Sequence, residues 1–129
     1  MFARDRASQS TGMELLEVRA GYARIAFTVR EDMLNGHDLA HGGFIFALVD
    51  SAFAYACNAR NYVTVATGAD IIYPASGRLG DLLAAVAEER YVQGRNGVTD
   101  VTITTQSGTV VALFRGQSRR IEGSVVMAG

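Results

Sequence analysis

The sequence predicts an α+β fold in which a curled antiparallel β-sheet wraps around one central buried α-helix. Three observations predict it. From Gly42 to Cys57 the chain carries a single charge, Asp50, while Ala, Leu, Phe and Tyr cover every face. A helix that is apolar all round is a buried helix. Strand-like runs flank it, two before and four after, in the order ββαββββ. One helix among six strands can only be covered by those strands, so the sheet must curl around it. It is too short to span a membrane, which takes roughly 20 apolar residues.

Taken in order, the chain opens with a polar lead, Met1 to Gly12, expected as a loosely ordered stretch or a short helical turn. Glu14 to Val18 and Tyr22 to Val29 follow as strands about Ala20-Gly21. In the second, Ala23, Ile25, Phe27 and Val29 alternate with Tyr22, Arg24, Ala26 and Thr28, the period of a half-buried strand. Arg30 to Leu34 is polar and suits a single turn. Asn35 to Ala40 is a loop by its turn chemistry, and the helix after it frays near Asn58 to Asn61. Val63 to Tyr73 is rich in Val, Thr and Ile and ends at Pro74-Ala75-Ser76-Gly77. Asp81 to Gln93 has good helix propensity but is expected as a strand. Gly94-Arg95-Asn96-Gly97 reads as a hairpin turn, Val98 to Gln106 is clearly β, and a hairpin needs a first arm. Ser107-Gly108 turns the chain into a last strand, Thr109 to Ser118.

Composition excludes several classes. With 129 residues the chain is one domain, 1–129, large enough for a real core. Twelve basic and 13 acidic residues leave a net charge of −1, no electrostatic footprint for nucleic acid or an anionic membrane. The lone Cys57 rules out an internal disulfide, suits a reducing compartment, and fits a small core residue better than a nucleophile. The first ten residues hold no apolar run of the kind a signal peptide needs, so the cytoplasm is expected. Apolar surface left on the strands is expected to be covered by self-association, most simply two-fold.

The site is expected at the helix. Gly42 and Gly43 leave backbone N–H groups bare at its N-terminus, where four donors have no intrahelical partner. Asp50 sits in its body, and Asp is seldom buried unless something pairs with it. Either Asp50 caps a neighbouring loop or pairs with an arginine, or it is functional, as strongly perturbed carboxylates tend to be.

Asn35-Gly36-His37, His41-Gly42-Gly43 with Asp50 beyond, and the run Ala52 to Asn58 resemble the PaaI-type hotdog-fold acyl-CoA thioesterases. So do Val111 to Gly116 and Arg120-Ile121. The resemblance covers nearly all of the chain after the lead and, within the family, is nearest the phenylacetate-pathway enzymes. The run Ile71 to Gly77 departs from the family pattern by placing its proline early. The resemblance implies a hotdog fold and hydrolysis of aryl-acyl-CoA such as phenylacetyl-CoA or hydroxyphenylacetyl-CoA. Coenzyme A would enter only as part of the substrate, with no further cofactor and no metal. Asp50 would be the general base or the direct nucleophile, and Gly42 would give its N–H to the thioester oxygen. Asn35 would place water or thioester, or form only a turn, and His41 would orient the loop, or only cap the helix. Phe53, with Phe44 and Phe46, would line the acyl pocket. Arg95 and Asn96, with Arg119-Arg120, are candidates for the coenzyme A phosphates.

Geometry adds an inference of its own. Eight residues along one helix separate Gly42 from Asp50 by about 12 Å. A base and an oxyanion donor must both lie near one carbonyl, roughly 3 Å away. One helix cannot bring both there, but Gly42 of one subunit and Asp50 of another can. A homodimer with shared sites is therefore expected, paired into a homotetramer. Two other classes remain open. A hotdog dehydratase or hydratase pairs its His with an acid in a different local motif. A non-catalytic acyl-CoA binding domain would need no Asp50.

Overall fold

A computed structural model of the chain describes residues 4–60 and 62–122. A short helix α1 (Arg6–Ser10) precedes β1 (Glu14–Arg19) and β2 (Tyr22–Thr28), and a single 3-10 turn spans Glu31–Met33. Then come the long helix α2 (Gly42–Asn58) and β3 (Thr64–Ile72), β4 (Leu82–Gln93), β5 (Asn96–Thr104) and β6 (Val110–Arg120). Among the described residues the six strands form one antiparallel sheet in the order β1-β2-β4-β5-β6-β3. Of the polar lead, residues 1–3 lie outside the described residues; the stretch Arg6–Ser10 is the helical turn of the two alternatives, and it is docked, because Ser8 is buried.

The central strands meet α2 because their inner faces are small or branched. Ile25 and Phe27 on β2, Leu83, Ala85 and Ala87 on β4, and Val101 and Ile103 on β5 are all buried against Leu48, Val49, Ala52 and Ala56. The alanines on both sides let helix and sheet approach closely, and this interface is the core. Pairing overrides propensity in β4, which is hydrogen-bonded to β2 on one side and β5 on the other and alternates in burial. The β4–β5 turn is tighter than expected. Gln93 pairs with Asn96, so Asn96 and Gly97 already belong to β5. Gly94 takes φ +60° at the first turn position, a conformation that side chains resist. On β6, a Cβ on Gly116 would stand 2.7 Å from the Phe114 ring and closer still to Phe53, so only glycine lets the Phe53 ring lie flat on the strand.

Two surfaces stay uncovered. β3 is an edge strand exposed along almost its whole length. On α2 one lane escapes the sheet: Gly43, Phe46 and Asp50 are exposed, and Gly42, Ala47, Ser51 and Ala54 are half-buried. As expected of six strands around one helix, the sheet hides most but not all of its surface within one chain. Six strands curl over the large side chains and leave this lane of mostly small ones open.

Candidate active site

The loop before α2 is pinned at both ends. The His41 N–H donates to the Met33 carbonyl at 2.8 Å and the Ala40 N–H to the Gly77 carbonyl at 2.8 Å. Inside it, Asn35 Oδ1 accepts from the N–H groups of His37 at 2.9 Å and Leu39 at 3.2 Å. This commits the amide oxygen to the turn and leaves the Asn35 NH2 as the group it can offer a ligand. Asp38, with φ +58°, takes the left-handed conformation that closes the turn, one that Asp tolerates better than most side chains. Asn35 thus builds the turn, and its NH2 group is not used in doing so.

His41 is the N-cap of α2, its Nδ1 accepting from the Gly43 N–H at 2.9 Å. A neutral imidazole that accepts at Nδ1 carries its proton on Nε2, so the exposed ring presents a donor rather than a base. The cap satisfies Gly43 and leaves the Gly42 N–H with no partner among the described residues. At the helix end, where the dipole adds its field, that N–H is suited to hold a developing oxyanion. Beside it stands Tyr73, a residue that the sequence does not single out. A Cβ on Gly42 would be 3.9 Å from both the Tyr73 Cζ and its hydroxyl.

Asp50 lies two turns further along the open lane. Among the described residues it has no ion pair and no hydrogen bond, so the reading that it pairs with an arginine or caps a loop is not met. Desolvation pushes its carboxyl above the ordinary aspartate value, and the negative charge of Asp5 pushes it further the same way. Gly42 and Asp50 occupy one continuous helix, so the separation of about 12 Å holds within a chain.

Phe53 is a correction. Its ring is 2% exposed and packs edge-on against Phe114 at 5.6 Å, which makes it core rather than pocket wall. Phe46, two turns before it on the same face, also meets the Phe114 ring, at 6.1 Å, but keeps exposed surface, as Phe44 does in part. Arg95, Asn96 and Arg120 come together. With Arg60 and Tyr62 they line a cavity of about 70 Å³ near the C-terminal end of α2, where the Arg120 guanidinium stacks 4.2 Å over the Tyr62 ring. Arg60 is paired with Glu89 there. Arg119 lies on the exposed side of β6 and is not among the lining residues. A larger cavity, about 430 Å³, is lined by Asp70, Arg90, Asp100 and Arg115, and includes neither Gly42 nor Asp50. Among the described residues no cluster of His, Cys, Asp and Glu could hold a metal, and no helix is long and apolar enough to cross a membrane.

A curled sheet around one helix, with a bare N–H at the helix start and an unpaired carboxylate in its body, defines a hotdog thioesterase. The thioesterase superfamily matches residues 37–112. The chain belongs to that family, and it is a thioester hydrolase of the PaaI type. It is 40% identical over 125 residues to the acyl-coenzyme A thioesterase PaaI of Escherichia coli, covering 97% of this chain and 89% of that one. The structure of the E. coli PaaI protein superposes with a TM-score of 0.96 over 98% of this chain and 91% of that chain. A Thermus thermophilus protein, 37% identical, gives a TM-score of 0.87 over 92% and 99% of the two chains. A Streptococcus mutans protein bound to acetyl CoA, 26% identical, gives 0.82 over 86% and 90%.

Proposed function

We propose that this chain hydrolyses aryl-acyl-CoA thioesters, with phenylacetyl-CoA and hydroxyphenylacetyl-CoA as the preferred class, to the free acid and coenzyme A. The observation that carries the reading is Asp50, an unpaired carboxylate of raised proton affinity on the one lane of the central helix that the sheet leaves open. A binding domain has no use for such a group. The E. coli relative is named an acyl-CoA thioesterase, and the S. mutans relative holds acetyl CoA, which supports a CoA thioester as the substrate.

The site is shared between two copies. Gly42 of one subunit receives the carbonyl oxygen, and Asp50 of the other faces the carbonyl carbon. As a base, Asp50 takes a proton from water, the oxygen attacks the carbon, and the C–S bond breaks as the oxyanion collapses. The protonated carboxyl then returns its proton to the sulfur. As a nucleophile, an Asp50 oxygen attacks the carbonyl carbon, the C–S bond breaks to release coenzyme A as thiolate, and water opens the mixed anhydride at the Asp50 carbon, giving a proton to the thiolate and freeing the acid. Single-turnover hydrolysis in oxygen-18 water chooses between them, since direct attack puts label into the Asp50 carboxylate. The Asn35 amide and the His41 Nε2–H supply donors at the rim, and Phe46, Phe44 and Tyr73 offer aromatic surface to the acyl group. Arg95, Asn96 and Arg120 take the phosphate end, about 15 Å along α2 from Asp50, on the span from Asp50 to Arg60. Dimers pair into a tetramer through surfaces left open in the protomer, and the buried, reduced Cys57 suits the cytoplasm.

Release of free thiol from phenylacetyl-CoA, followed with a thiol reagent, tests the reading. Steady release that Asp50→Asn abolishes is the expected result. Tight binding of phenylacetyl-CoA without release would leave a binding module, and addition of water to an enoyl-CoA without release would leave a hydratase.

A further inference from the structure

The first turn of the chain is tied to the middle of the central helix by a polar cluster. Asp5 Oδ1 accepts from the Ser8 N–H at 3.0 Å, and Oδ2 accepts from the Ser8 hydroxyl at 2.7 Å and the Tyr55 hydroxyl at 2.9 Å. The Ser8 and Ser51 hydroxyls share a further hydrogen bond at 3.0 Å. Ser8 is 1% and Tyr55 4% exposed, so these bonds are sheltered from water. Ser51 is the chain neighbour of Asp50, and Tyr55 lies just over one turn beyond it. A segment of α1's length has little helical stability of its own. What orders it is this seat on α2.

We propose that Asp5 is a positioning residue for Asp50: α1 is clamped onto α2 through Ser51 and Tyr55, so that a fixed negative charge is held against the stretch of helix that carries the reacting carboxylate. The proposal rests on Asp50 being that carboxylate. Burial pushes the Asp5 carboxyl up, but the bonds from Ser8 and Tyr55 outweigh it and leave Asp5 below the usual range, ionised wherever Asp50 titrates. The Tyr55 phenol is pushed up, first by burial and then by its bond to Asp5, and so remains a donor. Asp50 moves the other way, by desolvation and then by Asp5. Two carboxylates whose environments drive their proton affinities apart divide the work: one titrates while the other stays charged.

Other charges around α2 do not compete. Glu89 of β4 is engaged with Arg60 near the helix C-terminus, and Asp100 of β5 is held by Arg90 and Arg115. Arg24 of β2 and Asp70 of β3 are exposed, and Asp5 is the charged group that acts on Asp50 among the described residues. Among the described residues of one chain, the lane thus receives negative charge from Asp5. Its effect is to strengthen Asp50 as a proton acceptor near neutral pH, where a general base works best.

The test compares acid limbs of kcat/KM for the full chain and Asp5→Asn. Removing the charge should move the limb to lower pH by about half a unit, the scale of one nearby like charge at a partly exposed site. One unit below the wild-type midpoint, the fraction of plateau activity should then rise about two- to three-fold. Asp5→Glu, which keeps the charge, should restore the wild-type limb. Tyr55→Phe, which loosens Asp5 without changing its charge, should move it the same way by less, and this arm stands if Asp5→Asn does not fold. A carbon-13 titration of the Asp50 carboxyl in each variant reads the same quantity without turnover. If Asp50→Asn is fully active, the catalytic reading fails while this titration still decides the Asp5–Asp50 coupling. An Asp50 midpoint identical in wild type, Asp5→Asn and Tyr55→Phe overturns the proposal.

Discussion

Asp50 and Asp100 are two aspartates of one small domain, and their surroundings treat them in opposite ways. Asp100, on the outer face of β5, takes a two-pronged bond from Arg115 at 2.7 and 2.8 Å and another from Arg90 at 3.1 Å. The hydrogen bonds from Arg115 come first among the causes that hold its carboxyl below the ordinary value. Asp50, on the open lane of α2, has no cation among the described residues, and desolvation with the charge of Asp5 holds it above. The contrast teaches which charge does chemistry. A carboxylate held by two guanidinium groups forfeits charge-assisted bonds if it takes a proton, whereas one left unpaired beside another negative charge is a poised acceptor.

The largest effect that would break this contrast is on turnover. Asp50→Asn keeps the shape and removes the charge, and should lower kcat by about 100-fold or more, the general acid–base range. Asp100→Asn should change kcat by less than about two-fold, well under that range. Equal losses from the two substitutions would erase the distinction. Because the folded carboxyl of Asp50 is raised, kcat/KM should fall on the acid side with an apparent midpoint above about 3.9, the ordinary value for aspartate.

A second contrast lies between two glycines. Gly116 sits under the Phe53 and Phe114 rings, and Gly116→Ala must displace them, an overpacking cost of about 1–3 kcal/mol visible in urea unfolding. Gly42 has room for a methyl group, with Tyr73 at 3.9 Å, so Gly42→Ala should leave the unfolding midpoint nearly unchanged. Its cost should appear in kcat, through a crowded oxyanion site.

The smallest effects are on stability against pH, and they carry opposite signs. Asp100 is depressed in the folded state, so its contribution is present above the unfolded value and lost as pH falls through the folded one. Its partners are exposed, so Asp100→Ala should cost no more than about 1 kcal/mol at neutral pH, and less in high salt. Asp50 is raised, so its ionised form is disfavoured by folding. Asp50→Asn should therefore stabilise the protein slightly at neutral pH, and the gain should vanish below the unfolded value. Melting curves from pH 3 to 8 would show the two trends diverging.

Much of this was legible in the residues. The apolar run from Gly42 to Cys57 announced the helix, and period-two burial in Tyr22 to Val29 announced its cover. The turn glycines around Gly94 settled β4 as a strand despite its helix-forming alanines. The site was legible where a local rule governs it: a bare N–H at Gly42, a capping His41, a lone Asp50. It was not legible where tertiary placement decides. Phe46 and Phe53 stand seven residues apart on one face of the helix and both meet Phe114 of β6, and they differ only in how deeply the sheet covers them. Tyr73 reaches Gly42 because the chain bends after β3, and nothing in its neighbours encodes that meeting. Asp5 looked like one charge in a loose lead, and only its bonds to Ser8 and Tyr55 give it a place.

On the proposed mechanism one helix cannot complete the site, and a second copy must. The direct measurement is complementation between two inactive variants, Asp50→Ala and Gly42→Pro, mixed as unfolded chains and refolded together. A dimer of one chain of each kind holds one site with both Gly42 and Asp50 intact. The account predicts that hydrolysis of phenylacetyl-CoA reappears in the purified heterodimer, at up to about half the wild-type rate per dimer, while each variant alone stays inactive. Verified heterodimers with no activity above either parent would contradict it.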